Sequence, residues 1–402
     1  MGHEAAREGH PLRRREDPGD RPVASSVRRR RLAALGAVAA LALAVGLVAG
    51  AGEDEPASKD AGSTAAPSRQ APSEAARLPL ERRLGELLVM SFDGPTAPDY
   101  IVRRLRSGEG TGVILFAKNA PDARALRALT AGVQRAAGGA ALVATDQEGG
   151  DIRTLPFAPP ESSQGRLGSP EAVTAAARDA ARGLRAGGVN VNLAPVADVA
   201  DSLGSVVAGR AFPGDGRAVA ELTAASARAH GRERVGATAK HFPGLGRATE
   251  NTDDTSVTIP ASRAELEGTD LVPFVAAVRA GAPLVMSSHA LYPALDRRRI
   301  ASQSPAILRD LLRGRLDFRG AVVTDSIEAQ AVLDRSGVGA AAERSVEAGN
   351  DLILMTGSGS FNQVQPRLLA RARRDPRFRA RVTEAAGRVL ALKRRLGLRA
   401  PP

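Results

Sequence analysis

Short apolar runs recur along most of the chain and are separated by longer amphipathic stretches. Each run has six to eight residues, is rich in aliphatic side chains, and is flanked by glycine, proline or polar turns. Continuous apolar runs of this length are typical of strands covered on both faces of a parallel sheet. The runs occupy residues 87–92, 112–117, 141–146, 189–196, 236–241, 283–289, 321–326 and 351–356.

The stretches between these runs carry the signals of helix starts. Ser169 and Ser304 each precede a proline, an arrangement that suits the cap and the first position of a helix. Ser262 and Glu265 have the spacing of a capping box. Strands that alternate with helices eight times predict an α/β fold, a closed (β/α)8 barrel of the TIM type over residues 78–402. An open doubly wound sheet is the alternative.

The N-terminal part of the chain has a different pattern. Residues 1–31 form a basic tail that ends in four consecutive arginines, and residues 32–52 are 21 residues without a charge. That length spans a bilayer as a transmembrane helix, and the arginines predict a cytoplasmic tail with the rest of the chain outside. A cleaved signal peptide is the alternative, since residues 49–51 resemble a cleavage site. Residues 53–77 lack large apolar side chains and predict a flexible linker.

Composition narrows the classes of function. The net charge is +12, but residues 1–31 alone hold nine arginines against five acidic residues, and aromatic residues make up only 3%. We therefore expect no nucleic-acid partner. The chain has no cysteine, which excludes disulfides, iron–sulfur clusters and a thiol nucleophile. The phosphate-loop and dinucleotide-binding motifs are missing, so we expect no cofactor.

Polar side chains follow several of the predicted strands. Asp146, Lys240 with His241, His289 and Asp325 stand at the ends of four different apolar runs. The active site of such a barrel lies at the C-terminal ends of its strands, so these groups predict a polar pocket for a polyhydroxylated ligand. A zinc ion held by the two histidines and a nearby aspartate is an alternative, but no H-x-x-x-H or H-x-H spacing supports it, and we predict no metal.

Five motifs in this order resemble the catalytic barrel of family 3 glycoside hydrolases, in particular the single-domain bacterial β-N-acetylhexosaminidases. The resemblance covers roughly residues 80–395. It implies an exo-acting, retaining hydrolase of terminal β-linked N-acetylhexosamine, with a cell-wall glycan as substrate. The motifs are DQEGG (146–150), NLAPVADV (192–199), GRAF (209–212), KHFPGLG (240–246) and VVTDS (322–326).

The resemblance also implies roles for individual residues. Asp325 matches the family's nucleophile, which forms a glycosyl-enzyme intermediate. An arginine that the family carries shortly after DQEGG is displaced by one position, to Arg153. We add His289 to the substrate-binding set because it ends the strand after that of His241. The residues matched to positions that hold sugar hydroxyls are Asp146, Arg210, Lys240 and His241.

One loop departs from the family pattern. The relatives carry Asp-Ser-His after KHFPGxG, and that histidine is their general acid/base. Here Asn251 stands in place of the aspartate and Asp253 in place of the histidine. We predict Asp253 as the acid/base, with Asp254 and Glu250 as the next candidates, and the chosen carboxyl needs a raised pKa. A non-catalytic glycan-binding barrel and a β-glucosidase remain alternatives. Asp198 and Asn350 are expected to be hydrogen-bonding residues of turns.

Overall fold

A computed structural model describes residues 74–357 and 359–400 of the chain. Eight parallel strands form one sheet in the order β10-β1-β2-β3-β6-β7-β8-β9, and a bridge between Val323 and Leu352 joins its two ends. The predicted barrel is confirmed, and the open sheet is wrong because its edge strands would be unpaired. The strands are β1 (Leu88–Met90), β2 (Gly112–Ile114), β3 (Leu142–Thr145), β4 (Gln147–Gly149), β5 (Ile152–Arg153), β6 (Val191–Asn192), β7 (Gly236–Phe242), β8 (Leu284–Ser287), β9 (Ala321–Thr324) and β10 (Ile353–Leu354).

Helices connect the strands and surround the barrel. The α-helices are α1 (Glu74–Arg77), α2 (Leu80–Gly85), α3 (Asp99–Ser107), α4 (Ala123–Ala136), α5 (Pro170–Ala186), α6 (Gly216–Arg232), α7 (Arg263–Glu265), α8 (Val272–Arg279), α9 (Gln330–Leu333), α10 (Val338–Ala348), α11 (Phe361–Arg374) and α12 (Pro376–Arg395). Leu266–Asp270 and Ala306–Arg315 are π-helical, and Ala117–Asn119, Gln164–Arg166 and Ala301–Gln303 are 3-10 turns.

The predicted helix starts are present. The Ser169 hydroxyl accepts a hydrogen bond from the N–H of Ala172 at 3.2 Å, with a proline at the first helical turn. Ser262 and Glu265 form the reciprocal capping box. The Ser304 hydroxyl accepts from the N–H of Ile307 at 3.3 Å, although the segment that follows is π-helical.

Alternate residues of the strands enter two different cores. Val89, Ile114, Met286 and Val323 belong to the cluster inside the barrel, whereas their neighbours along each strand pack outward against the helices. Side chains of the last helix, α12, also join the interior cluster and close the N-terminal end of the barrel. The C-terminal ends of the strands are therefore the open end.

The start of the described chain differs slightly from the predicted boundary. Helix α1 begins at Glu74, and Ala75 is buried in the main core. This helix was not predicted because residues 53–77 lack large apolar side chains. A buried alanine is enough to make its contact with the main core. No helix within residues 74–357 and 359–400 is apolar and long enough to cross a bilayer. The predicted tail at 1–31, the predicted membrane helix at 32–52 and residues 53–73 of the linker lie outside the described residues.

Candidate active site

A cavity of about 780 Å³ opens at the C-terminal ends of the barrel strands. Seven of the eight predicted site residues line it: Asp146, Arg153, Arg210, Lys240, His241, Asp253 and Asp325. The predicted convergence of these side chains is thus present in the structure.

Four charged groups form a buried cluster on one side of the cavity. The Lys240 ammonium donates to Asp146 Oδ1 at 2.5 Å and lies 2.6 Å from Glu148 Oε1. Arg210 donates to both oxygens of Glu148, at 2.9 and 2.7 Å. Burial opposes the ionisation of Glu148, but Lys240 and Arg210 outweigh it and lower the pKa of that carboxyl to about 2. Burial likewise opposes the charge on Lys240, and Asp146 and Glu148 raise its pKa despite that. Glu148, Lys240 and Arg210 are therefore charged at neutral pH.

The hairpin β4–β5 positions the acidic members of this cluster. The Asn192 amide on β6 accepts from the N–H of Gln147 at 3.0 Å and donates to its carbonyl at 3.1 Å. Gly149 follows with φ of 99°, and a Cβ there would lie 2.2 Å from the carbonyl oxygen of Ser162. The DQEGG motif thus needs glycine at this position because the backbone is left-handed and tightly packed.

His241 connects a buried aspartate to the predicted nucleophile. Its Nδ1 lies 2.7 Å from Asp198 Oδ2, and its Nε2 lies 3.9 Å from Asp325 Oδ2. Asp198 Oδ1 also accepts from the N–H groups of His241 at 3.0 Å and of Leu245 at 2.7 Å. Asp198 is fully buried, so it fixes both the ring and the backbone of the KHFPGLG turn.

Asp325 directly follows β9 and points into the cavity. Its Oδ1 accepts from the N–H of Ser326 at 2.8 Å. Burial opposes its charge, but the neighbouring His241, His289 and Lys240 lower the pKa of Asp325 below its usual range. The carboxylate is therefore ionised, as a nucleophile requires.

His289 does not line the cavity, in contrast to the expectation that it contacts substrate. It is fully buried, with Nδ1 2.7 Å from the Ser302 hydroxyl and Nε2 2.9 Å from the carbonyl oxygen of Ser326. Both ring nitrogens are thus engaged by protein groups, and burial lowers the pKa of this histidine. It supports the backbone next to Asp325. Among the described residues, no group of three or more His, Asp or Glu side chains is arranged to hold a metal ion.

The loop that departs from the family pattern is held over the cavity. The carbonyls of Thr252 and Asp253 accept from the N–H groups of Ala331 and Gln330, both at 3.1 Å, at the start of α9. The Asn251 side chain accepts from the N–H of Asp253 at 3.1 Å. Asp253 is exposed at the surface, and the protein groups around its carboxyl together with the negative charge of Asp325 raise its pKa.

Of the three candidate carboxylates in this loop, only Asp253 lines the cavity. Asp254 and Glu250, which are exposed like Asp253, lie outside the lining. At the base of the loop, Arg247 donates to Asp270 Oδ2 at 3.1 Å. Burial raises the pKa of Asp270 to about 6 despite Arg247.

Comparison with known proteins places the chain in a family. The sequence profile of the glycosyl hydrolase family 3 N-terminal domain matches residues 79–392. The chain belongs to glycoside hydrolase family 3.

Several relatives resemble this family 3 barrel over most of its length. A secreted glycosyl hydrolase of Arthroderma benhamiae is 32% identical, over 78% of this chain and 92% of that protein. A beta-hexosaminidase of Stenotrophomonas maltophilia is 35% identical, over 61% of this chain and 75% of that protein.

Solved structures agree with this assignment. A beta-N-acetylhexosaminidase from Beutenbergia cavernae superposes with a TM-score of 0.72 at 34% identity, and the match covers 79% of this chain and 99% of that one. A family 3 beta-N-acetylglucosaminidase from a Paenibacillus species gives a TM-score of 0.76 at 33% identity, covering 80% of this chain but only 63% of that longer one.

Three residues of this family 3 site were not assigned from the sequence. Glu148 lies inside the DQEGG motif, and its position two residues after Asp146 was the available signal. Asp198 was assigned only a turn, and its contact with His241 depends on the fold. Glu328 also lines the cavity, and its Oε2 accepts from the N–H of Thr356 at 2.9 Å. Asn350 is a buried structural residue, as expected, whose amide donates to backbone carbonyls.

Proposed function

We propose that this protein removes terminal β-linked N-acetylhexosamine, above all N-acetylglucosamine, from glycans with retention of configuration, using Asp325 as nucleophile and Asp253 as acid/base. The observation that supports this most strongly is the pair of carboxyls in one cavity whose pKa values shift in opposite directions. Such a pair is what a glycosidase uses to hold one carboxyl ionised and the other protonated. The sugar is inferred from the names of the relatives.

The mechanism follows from these two charge states. An Asp325 oxygen attacks the anomeric carbon and forms a glycosyl–enzyme ester, while Asp253 gives its proton to the departing glycosidic oxygen. Asp253, now ionised, takes a proton from water, and that water opens the ester on the same face from which the leaving group departed. The negative charge on Asp325 helps Asp253 keep its proton before the first step, and esterification removes that charge before the second.

The other lining groups position the sugar. Lys240, Asp146 and Arg210 present polar groups that suit hydroxyl donors and acceptors, and Arg153 also lines the cavity. His241 lies between Asp198 and Asp325. Its imidazole ring is thereby kept in one orientation beside the anomeric carbon of the bound sugar. Rigid placement of this kind lowers the barrier by aligning the reacting atoms in advance.

The test compares Asp325→Asn and Asp253→Ala on two substrates. One is a β-N-acetylglucosaminide with an activated aryl leaving group, and the other is an N-acetylglucosamine disaccharide. Asp325→Asn should abolish turnover of both, since an amide does not form the glycosyl-enzyme. Asp253→Ala should slow the disaccharide by roughly 10²–10⁴-fold and the first step of the aryl substrate much less. External azide should restore the second step by attacking the intermediate without a base.

Asp254→Ala is the matched control, because its carboxylate belongs to the same loop but lies outside the cavity lining. Wild-type turnover by Asp325→Asn would place the nucleophile elsewhere. Equal slowing of both substrates by Asp253→Ala would remove the acid/base assignment. A wild type that binds the sugar without turnover would favour the glycan-binding alternative, and preference for a β-glucoside would replace the amino-sugar specificity.

We also propose that residues 32–52 anchor the chain in the membrane, with the barrel on the outer side and cell-wall glycan as its substrate. The 21 uncharged residues after four arginines support this, and the name of the secreted Arthroderma relative is compatible with an extracellular barrel. Protease added to intact cells should cut the segment 53–73 and release the barrel. A barrel recovered intact from the cytosol would contradict the proposal.

A further inference from the structure

The end of the barrel opposite the catalytic cavity contains a second cavity, of about 590 Å³. It lies beside the segments that lead into β9 and β10, since Arg313 donates to the carbonyls of Phe318 and Gly320 just before β9. The first turns of α12 and the π-helical segment Ala306–Arg315 form its walls. Six arginines line it, namely Arg309, Arg313, Arg319, Arg377, Arg381 and Arg388.

One buried carboxylate organises the deep part of this cavity. Asp351 is fully buried, and its Oδ2 accepts from Arg313 Nη2 at 2.5 Å. Its Oδ1 accepts from Arg381 at 2.7 Å and from Arg388 at 3.3 Å. Glu384 pairs with the last two arginines as well. Three guanidinium groups therefore share two carboxylates, which leaves one positive charge in excess at this depth.

The outer arginines increase that excess. Arg319 pairs with Asp317, whereas Arg309 donates to a backbone carbonyl of Glu347. In the described part of the chain, no hydrogen bond or ion pair engages the Arg377 guanidinium, which lines the cavity. Counting Asp351, Glu384 and Asp317 against the six arginines, the cavity keeps an excess of three positive charges.

An unpartnered donor lies within the cluster. The Arg313 side chain is only 9% exposed, and its Nε has no hydrogen-bond acceptor among the described residues. Burial lowers the pKa of Arg313, and the positive charges of Arg388 and Arg381 add to this effect against the attraction of Asp351.

We propose that this cavity binds a phosphate group. Guanidinium groups match the oxygens of phosphate through paired hydrogen bonds, and the negative charge of a phosphate group offsets part of the positive excess in this cavity. The volume admits a phosphate together with the group that carries it. Free phosphate, a phospholipid headgroup and the phosphodiester of a polyanionic polymer share this chemistry.

The experiment is a calorimetric titration of the full-length protein with inorganic phosphate at constant ionic strength. The variant combines Arg319→Ser with Arg377→Ser, two exposed residues at the rim. The control combines Arg124→Ser with Arg127→Ser on the exposed side of α4, which removes the same total charge elsewhere. We expect saturable binding to the wild type and the control, and at least about tenfold weaker binding to the rim variant, since charge-assisted hydrogen bonds are lost.

Two further probes separate the sources of the phosphate group. One is a glycerol phosphate oligomer, and the other is a phosphatidylglycerol vesicle compared with a phosphatidylcholine vesicle. Binding of any of these that the rim variant weakens and the control does not supports the proposal and names the source. Equal weakening by both variants, or no saturable binding of any probe to the wild type, overturns it. Unfolding temperatures in phosphate-free buffer verify that both variants are folded.

Discussion

Replacement of Glu148 by glutamine tests the role of the buried charge cluster. The side chain of Glu148 is 1% exposed, and it accepts two hydrogen bonds from Arg210 and contacts Lys240. Its pKa lies at about 2 instead of the ordinary 4.5. One pKa unit corresponds to about 1.4 kcal/mol, so its ionised form stabilises the fold by about 3 kcal/mol at neutral pH. Breaking a buried ion pair by removing one partner costs a similar amount.

The sign of the pH dependence follows from the lowered pKa. The folded state binds the Glu148 proton less tightly than the unfolded state, so the stabilisation is complete above pH 4.5 and is lost as the pH falls towards 2. At pH 7 Glu148→Gln should lower the unfolding temperature by about 6 °C, at roughly 2 °C per kcal/mol for a domain of this size. At pH 3 the difference from the wild type should shrink to about 1 kcal/mol.

The assay is thermal unfolding of wild type and Glu148→Gln at both pH values, together with kcat/KM for an aryl N-acetylglucosaminide. Glu267→Gln is the control, because Glu267 also pairs with arginines but on the outer surface, and it should unfold like the wild type. Glu148 lies beneath the cavity lining, so its loss should lower kcat/KM by releasing Lys240 and Arg210. An unchanged unfolding temperature at pH 7, or a penalty that persists undiminished at pH 3, would refute the reasoning.

Two further predictions concern the reacting groups. The pH profile of kcat/KM should fall on the acid side as Asp325, whose pKa is lowered, gains a proton, and on the alkaline side as Asp253, whose pKa is raised, loses one. Asp253→Ala should remove the alkaline limb, and an alkaline limb that persists in that variant would contradict the assignment. Asp198→Asn places an amide donor next to His241 Nδ1 in place of a carboxylate acceptor. The variant should have kcat/KM lowered at least about tenfold with little loss in unfolding temperature. Activity equal to the wild type would show that Asp198 does not orient the imidazole ring.

The barrel and the positions of its eight strands were predictable because each strand is apolar on both faces and alternates with helical stretches. Val89 and Met90, for example, point to opposite sides of β1, and both are buried. The positions of the strands also locate their C-terminal ends. Because these ends meet at one face of the barrel, the convergence of Asp146, Lys240 and Asp325 was predictable as well. The π-helical segments and the hairpin β4–β5 carry no such signal, since they depend on contacts with neighbouring parts of the fold.

The role of His289 shows where the sequence argument ends. The end of a strand places a side chain near the cavity, but its orientation depends on groups from other elements. Here the Ser302 hydroxyl and the carbonyl of Ser326 bind the two ring nitrogens and turn them away from the cavity. Asp198 is the opposite case, because a residue expected only in a turn contacts the His241 ring.

The attachment of the altered loop to α9 has a consequence for how the site can be exchanged between proteins. Asp325 and the two N–H groups that hold Thr252 and Asp253 belong to one short stretch of chain, residues 325–331. The same short stretch of backbone thus carries the nucleophile and positions the proposed proton donor. Grafting a relative's Asp-Ser-His loop onto this barrel would keep the catalytic spacing only if its carbonyls still met Gln330 and Ala331. The loop and the start of α9 would therefore have to be exchanged together.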